Sequence, residues 1–476
     1  MKKINLIVVA FVGLVACKTS TSKQVSETKQ PNIIYILADD MGIGDLGTYG
    51  QKKIKTPNLD ALAAGGIKFT QHYSGSAVCA PSRSSLMTGQ HTGHTPIRGN
   101  MELKGIGGQQ PLPESSITLA EMLKKAGYTT GMFGKWGLGF GEGDPNKQGF
   151  DEFYGYNDQK LAHRYYPTHL NHNQEIDSLE GNDWTSTEVY AQDKIQQKTL
   201  EFIQTNKDKP FFAYVPMVLP HAELISPQDS ILQQYVGKFD EVPYKNHPYL
   251  SDYGPNMVYY KYCSQETPYA VYASMVTRMD AYIGQIVSKL KKLGIDNNTI
   301  IMFSSDNGAH AAGGANPEFF DSTDGLRGIK RDLYEGGIRA PFIVAWPGTI
   351  PSGVVTDHIS AFWDVMPTLA DIVGIKAPKQ SDGISFLPTL LNQKQQNIHE
   401  YMYWEYNIKG GRKAVRLGKW KGVIYKANNK KSKIELYNLE ADRGETMDVA
   451  DEHPEVVAKM AEIMKTARTE SEFFEF

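Results

Sequence analysis

Residues 32–40 read NIIYILADD, and the first seven show no alternation of polar and apolar positions. A strand with one wet face alternates, whereas a strand covered by helices on both faces is apolar throughout. The run stops at an acid pair, Asp39-Asp40. Four other segments have the same character: YTTGMFG (128–134) before Lys135, PFFAYVPMVL (210–219) before Pro220-His221, NTIIMFSS (298–305) before Asp306-Asn307, and APFIVAW (340–346) before Pro347-Gly348. All five are expected to be buried parallel strands. Helical patterns lie between them at 56–66, 118–127, 188–206 and 269–293, the second with a Thr118/Glu121 capping box and Gly127 as its stop. Strands alternating with helices predict an α/β fold, a large, mostly parallel or mixed sheet sandwiched by helices. Ligands in such sheets collect at the carboxyl ends of the strands. Four of the five segments deliver Asp, Asn, Lys or His there.

The ends of the chain differ from this pattern. YMYWEY, KAVRLGKWKGVIYK and KIELYNLE read as short antiparallel strands, and PEVVAKMAEIMKTARTE as a closing helix. They predict a smaller subdomain at 386–476 beside a catalytic unit at 31–385. At the other end, Lys2 and Lys3 precede an apolar run, Ile4 to Val15, too short to span a bilayer but suited to a signal-peptide core. Leu14-Val15-Ala16-Cys17 resembles the bacterial lipobox. The expectation is a signal peptide at 1–16, a lipid-bearing Cys17, and a polar tether to residue 30. That makes an exported, membrane-anchored bacterial lipoprotein, on the periplasmic side or the cell surface. A net charge of −3 gives no basic field for nucleic acid.

The chain has three cysteines. With Cys17 lipidated, Cys79 and Cys263 remain, and an exported protein commonly pairs such residues. The surroundings of Cys79 point elsewhere. Cys79-Ala80-Pro81-Ser82-Arg83, then three residues, then Met87-Thr88-Gly89, resembles the signature of type I sulfatases, in which the cysteine is oxidised to Cα-formylglycine. Asp39-Asp40, Gly134-Lys135-Trp136, Pro220-His221, Asp306-Asn307-Gly308, Leu326 to Lys330 and Tyr334 to Arg339 all fall in that family's order, so the resemblance spans nearly the whole mature chain.

The resemblance implies an alkaline phosphatase-like fold, hydrolysis of sulfate esters, and dependence on a formylglycine-generating maturation enzyme. A hydrated aldehyde is a gem-diol: one hydroxyl attacks sulfur, and the other lets the carbonyl re-form so that sulfate departs by C–O cleavage. Asp39, Asp40, Asp306 and Asn307 are hard oxygen ligands that select calcium or magnesium over zinc. The resemblance favours calcium, with the modified Cys79 completing the shell. Arg83, Lys135 and Lys330 are cations able to hold sulfate oxygens, and Arg83 could instead orient the formylglycine. His221 is the candidate general acid. Arg98 and Asn100 could bind substrate or brace their loop. The tyrosine-rich insertions 163–174 and 247–265 are expected to rim the pocket, with His163, Arg164 and His169 as candidate sugar contacts. The substrate expected is a sulfated carbohydrate. The alternatives are an aryl sulfatase, a phosphate or phosphonate monoester hydrolase, and a non-catalytic glycan-binding lipoprotein. One residue departs from the family pattern: Gly137 stands where many members carry a histidine that contacts the formylglycine. His91 and His94 are the nearest replacements in sequence.

Overall fold

A computed structural model describes residues 30–103, 108–248, 252–254, 257–258, 261–394 and 396–476. Cys17 and the expected signal and tether segments up to residue 29 lie outside the described residues.

The Asn32–Ala38 strand is fully buried and sits near the middle of an eleven-stranded sheet. It pairs in parallel with Thr299–Ser305 on one side and Phe211–Pro216 on the other. Thr129–Lys135 and then Glu152–Tyr156 continue the parallel run. The absence of alternation has its expected cause. Ile34, Ile36 and Ala38 join one apolar core, and Ile33, Tyr35 and Leu37 join another on the opposite face. Helices Ala191–Thr205 and Pro268–Leu293 bury their apolar sides in the first core. Helices Cys79–Thr88, Leu119–Lys125 and Val365–Ile372 cover the second. Each large aliphatic side chain removed from water in this way contributes about 1.5–3 kcal/mol.

One of the five expected parallel strands runs the other way. Arg339–Ala345 is antiparallel to Thr299–Ser305, so its first residues, not its last, lie at the edge where the parallel strands end. A continuous apolar run reports burial on both faces and carries no information on direction. This explains why 340–346 alone ended without a chemical residue. The Glu152–Tyr156 strand was not foreseen, because EFYGY is short and interrupted by glycine.

Beyond residue 400, four antiparallel strands, Met402–Tyr406, Arg412–Leu417, Trp420–Tyr425 and Glu435–Asn438, form a second sheet, against which helix Pro454–Thr466 packs. A buried ion cluster joins the two sheets. Glu335, just before the Arg339–Ala345 strand, pairs with Arg339 at 2.6 Å and with Lys421 of the second sheet at 2.7 Å.

Candidate active site

Cys79 opens the buried ten-residue helix Cys79–Thr88. Pro81 loses nothing in this first turn, where its missing N–H would have no acceptor. Asn100 Oδ1 accepts from the Ala80 N–H at 3.1 Å, filling one of the helix's open donors. The thiol lies 3.4 Å from Asp39 Oδ1 and 3.8 Å from Asp40 Oδ1. Burial, and then the Asp39 charge, push it above its ordinary value, so the unmodified side chain is a protonated thiol, unfit as a nucleophile. Cys79 and Cys263 are both free. The disulfide alternative fails because Cys263 sits against Glu223 and Arg164 instead.

Asp39 and Asp40 follow the central strand directly, and Asp40 has φ 64°, in the left-handed region that Asp, unlike most non-glycine residues, enters readily. Asp306 and Asn307 follow the neighbouring parallel strand and meet the acid pair. Asp306 Oδ1 accepts from Asp40 N at 3.0 Å, and Asn307 Nδ2 donates to Asp40 Oδ1 at 2.8 Å. Three buried cations balance the carboxylates. Lys135 lies 2.5 Å from Asp39, Lys330 lies 2.5 Å from Asp40, and Arg83 lies 2.8 Å from Asp306. Burial opposes ionisation of Asp39, but the Lys135 ammonium holds it well below the usual carboxylate range. Asp306 goes the other way, pushed up to about 7 by burial and then by Asp39.

This donor set fits a hard divalent cation. The Asn307 Oδ1 carbonyl is buried without a hydrogen-bond partner among the described residues. A buried carbonyl left bare is costly unless something electropositive meets it. The ligand atoms of Asp39, Asp40, Cys79 and His221 also lie within 4.8 Å of one another. Arg83 is committed to the protein: Nε and Nη2 donate to Asp306 Oδ2, and Nη1 donates to the Lys135 carbonyl. These bonds brace Asp306 and the end of the Thr129–Lys135 strand, and none of them reaches residue 79.

His221 Nε2 lies 3.1 Å from Lys330 Nζ and 3.2 Å from Asp40 Oδ2, while Nδ1 meets the Ala222 carbonyl. Burial, and then the neighbouring ammonium, push this imidazole down to about 3, so it is neutral and accepts from Lys330. Several neighbours fix it. His163 stacks on its ring with centroids 4.8 Å apart and an interplanar angle of 2°. Tyr262 packs edge-on against both rings. The Tyr165 hydroxyl donates to the His221 carbonyl at 2.9 Å. His163 and the tyrosines of the two insertions thus gather beside the general-acid candidate.

Other expected contacts are elsewhere. Arg164 is buried in an ion pair with Glu223, and Arg98 is spent on Glu405 and Thr469, bracing the second sheet. Long side chains with full hydrogen-bonding demand satisfy it inside the protein when buried. His169 lies on the short strand His169–His172, paired with Ser178, its ring against Thr168. Asn100 serves the nucleophile helix. His91 and His94 do not replace the histidine absent at Gly137. They stack on each other and face Asp382, with His94 Nδ1 at 2.9 Å from its carboxylate. Sequence reasoning pointed to the insertions that hold Tyr165 and Tyr262 but missed His310, which stacks on the far side of His221 with centroids 5.7 Å apart. His310 follows the Asp306-Asn307 motif by only a few residues, and that proximity was its signal.

A helix N-terminus carrying the reactive position, ringed by carboxylates, lysines and an imidazole at the carboxyl ends of parallel strands, defines an ester hydrolase built around an anion. The sulfatase family model matches residues 31–375, and the chain belongs to the sulfatase family. A model described as N-sulphoglucosamine sulphohydrolase, C-terminal, matches residues 328–470. The N-acetylgalactosamine-6-sulfatase of Mus musculus is 30% identical over 89% of this chain and 76% of its own length. An N-acetylgalactosamine-6-O-sulfatase of Bacteroides thetaiotaomicron is 28% identical over 98% of this chain and 100% of its own. The crystal structure of Ps i-CgsB in complex with k-i-k-neocarrahexaose superposes with a TM-score of 0.74, at 28% identity and 92% coverage of both chains. The enzyme is a sulfatase.

Proposed function

We propose that this sulfatase removes sulfate from sulfated carbohydrates, using a formylglycine made from Cys79 and a bound divalent cation, calcium. The observation that carries the reading is the position of Cys79. It is a protonated thiol at a helix N-terminus, 3.4 Å from an acid, with Lys135, Lys330 and His221 around that acid pair. As a thiol it is inert; as an aldehyde hydrate it has the chemistry that the site needs. Asp39, Asp40, Asp306 and Asn307 would hold the cation, which supplies Lewis-acid polarisation of the sulfate. Lys135 and Lys330 orient the sulfate oxygens and offset their charge.

One hydroxyl of the residue-79 gem-diol gives up its proton to the neighbouring carboxylates as its oxygen attacks sulfur, and the bond from sulfur to the sugar oxygen breaks. The Lys330–His221 pair delivers the proton that the leaving oxygen takes up, since His221 alone is held neutral. The remaining hydroxyl then loses its proton, its carbon–oxygen bond becomes a carbonyl, and the carbon–oxygen bond to sulfate breaks. Water restores the diol.

The carbohydrate reading is supported by the full-length likeness to an N-acetylgalactosamine-6-O-sulfatase and by a structural neighbour solved with a neocarrahexaose. A phosphonate monoester hydrolase shares the fold at 20% identity, which speaks for the fold alone. The lipobox around Cys17 further supports export and a lipid anchor. The test is sulfate release from defined sulfated sugars, beside aryl sulfates and matched phosphate esters, by enzyme whose formylglycine content is measured by peptide mass spectrometry. Cys79→Ala abolishes turnover. Activity surviving in that variant, or faster phosphate than sulfate cleavage, rejects the proposal.

A further inference from the structure

Gly137 has φ +76°, and a Cβ placed there would lie 2.7 Å from Gln159 Oε1 and 3.7 Å from Arg83 Cδ. The carboxamide of Gln159 therefore fills the space into which any side chain at residue 137 would grow. Gln159 is only 6% exposed, and its Oε1 is buried with no hydrogen-bond partner among the described residues. A buried amide oxygen without a partner is costly, and a leucine or methionine would fill the same volume without that cost. A second unpartnered atom comes from the same turn of chain: His163 Nδ1 is likewise buried and bare, on the ring that stacks against His221. Both residues follow the Glu152–Tyr156 strand, whose carboxyl end lies beside Lys135. Arg83 stands one helical turn after residue 79, on the same face of the helix. An amide packed beside Arg83 and Gly137 is thus at the rim of the nucleophile's own pocket.

We infer that Gln159 is a catalytic residue that hydrogen-bonds the gem-diol of residue 79 through the space left open at Gly137. This rests on the formylglycine reading above. An amide neither gains nor loses a proton at neutral pH, so Gln159 holds the hydroxyl in its reactive orientation and leaves proton transfer to other groups.

The experiment compares full-length wild-type enzyme with Gln159→Leu, both co-expressed with a formylglycine-generating enzyme and assayed on p-nitrophenyl sulfate. Formylglycine content and melting temperature are recorded for each. The expected result is a fall in kcat of about tenfold or more, with KM within about twofold, because the lost bond is made to the reacting group and not to the ester. Gln159→Glu keeps the side-chain shape and covers the case in which leucine misfolds. Its kcat starts lower and rises as the pH falls, because a protonated carboxyl again both donates and accepts. A Gln159→Leu kcat within twofold of wild type overturns the inference, and so does a loss confined to KM, which would move Gln159 to the sugar. Wild-type enzyme with confirmed formylglycine but no sulfate release would instead refute the functional reading itself.

Discussion

Replacing Glu335 by alanine removes the anion at the centre of the cluster joining the two sheets. Its Oε1 lies 2.7 Å from Lys421 Nζ, and its Oε2 lies 2.6 Å from Arg339 Nη2 and 2.7 Å from the Tyr73 hydroxyl, all buried. Breaking a buried pair from one side costs about 3–5 kcal/mol, because the remaining charge stays buried without its partner. Here part of that loss is recoverable. Glu445 lies 3.6 Å from Lys421 and is pushed up to about 7 by burial, with Glu335 opposing its ionisation further. Once Glu335 is gone, Glu445 ionises more readily and takes over the pairing with Lys421, returning about 1–2 kcal/mol. The net cost expected for Glu335→Ala is therefore about 2–4 kcal/mol, and Glu445→Gln costs more in that background than in the wild type. Urea unfolding near pH 7.5, followed by tryptophan fluorescence, measures all four members of the cycle. A single-variant loss under about 0.5 kcal/mol, or additivity within about 0.5 kcal/mol, refutes the reasoning. The same cluster reaches the catalytic loop: Gly308, next to Asn307, donates its N–H to the Gly337 carbonyl at 3.0 Å. Folded Glu335→Ala is accordingly expected to bind calcium more weakly.

Glu445 also gives a pH dependence. Its folded value of about 7 exceeds the ordinary 4.5, so the native state holds the proton more tightly and stability falls as pH rises between those values. Glu445→Gln flattens this slope, which amounts to about 3 kcal/mol in all; melting curves at pH 5 and 8 that keep the wild-type difference contradict it. Asn307→Ala removes the bare carbonyl at the cation site and is expected to lower calcium affinity about tenfold or more, read by metal analysis after dialysis against a graded chelator. Calcium retention equal to wild type would count against the ligand assignment. On the lipobox reading, Cys17→Ala is expected to release the protein from the membrane fraction with purified activity unchanged, and persistent anchoring rejects that reading.

The parts of the site that were legible in sequence are those set by position on a strand. Asp39-Asp40, Lys135, His221 and Asp306-Asn307 each terminate a buried run, and strands that are parallel and adjacent must bring their ends together. Strand direction was not legible, which is why 340–346 was read as parallel. Long-range pairing was not legible either. Arg98 and Arg164 look like ligand-binding residues in a one-dimensional reading, because their true partners, Glu405 and Glu223, lie 307 and 59 residues away. Gln159 gave no signal at all. It belongs to no motif, and its relevance comes from an absence, the missing side chain at Gly137, that acquires meaning only when the two are packed together.

The charge balance of the site bears on why sulfate is the ester that it turns over. Asp39, Asp40 and Asp306 face Arg83, Lys135 and Lys330, three acids against three bases, all buried. A bound divalent cation would keep Asp306 ionised and bring this set to a charge of about plus two. A sulfate monoester brings a single negative charge and leaves one positive charge uncompensated in the ground state. As the sulfur–oxygen bond breaks, the negative charge carried by the sulfuryl oxygens moves onto the leaving oxygen, beside the Lys330–His221 pair, with the total charge unchanged. The attraction is thus greater for the transition state than for the substrate, which is the condition for lowering a barrier and not merely binding. A phosphate monoester arrives at neutral pH with close to two negative charges and neutralises the site already in the ground state. It is held more tightly in the ground state, so such esters are expected to compete with sulfate esters for the site.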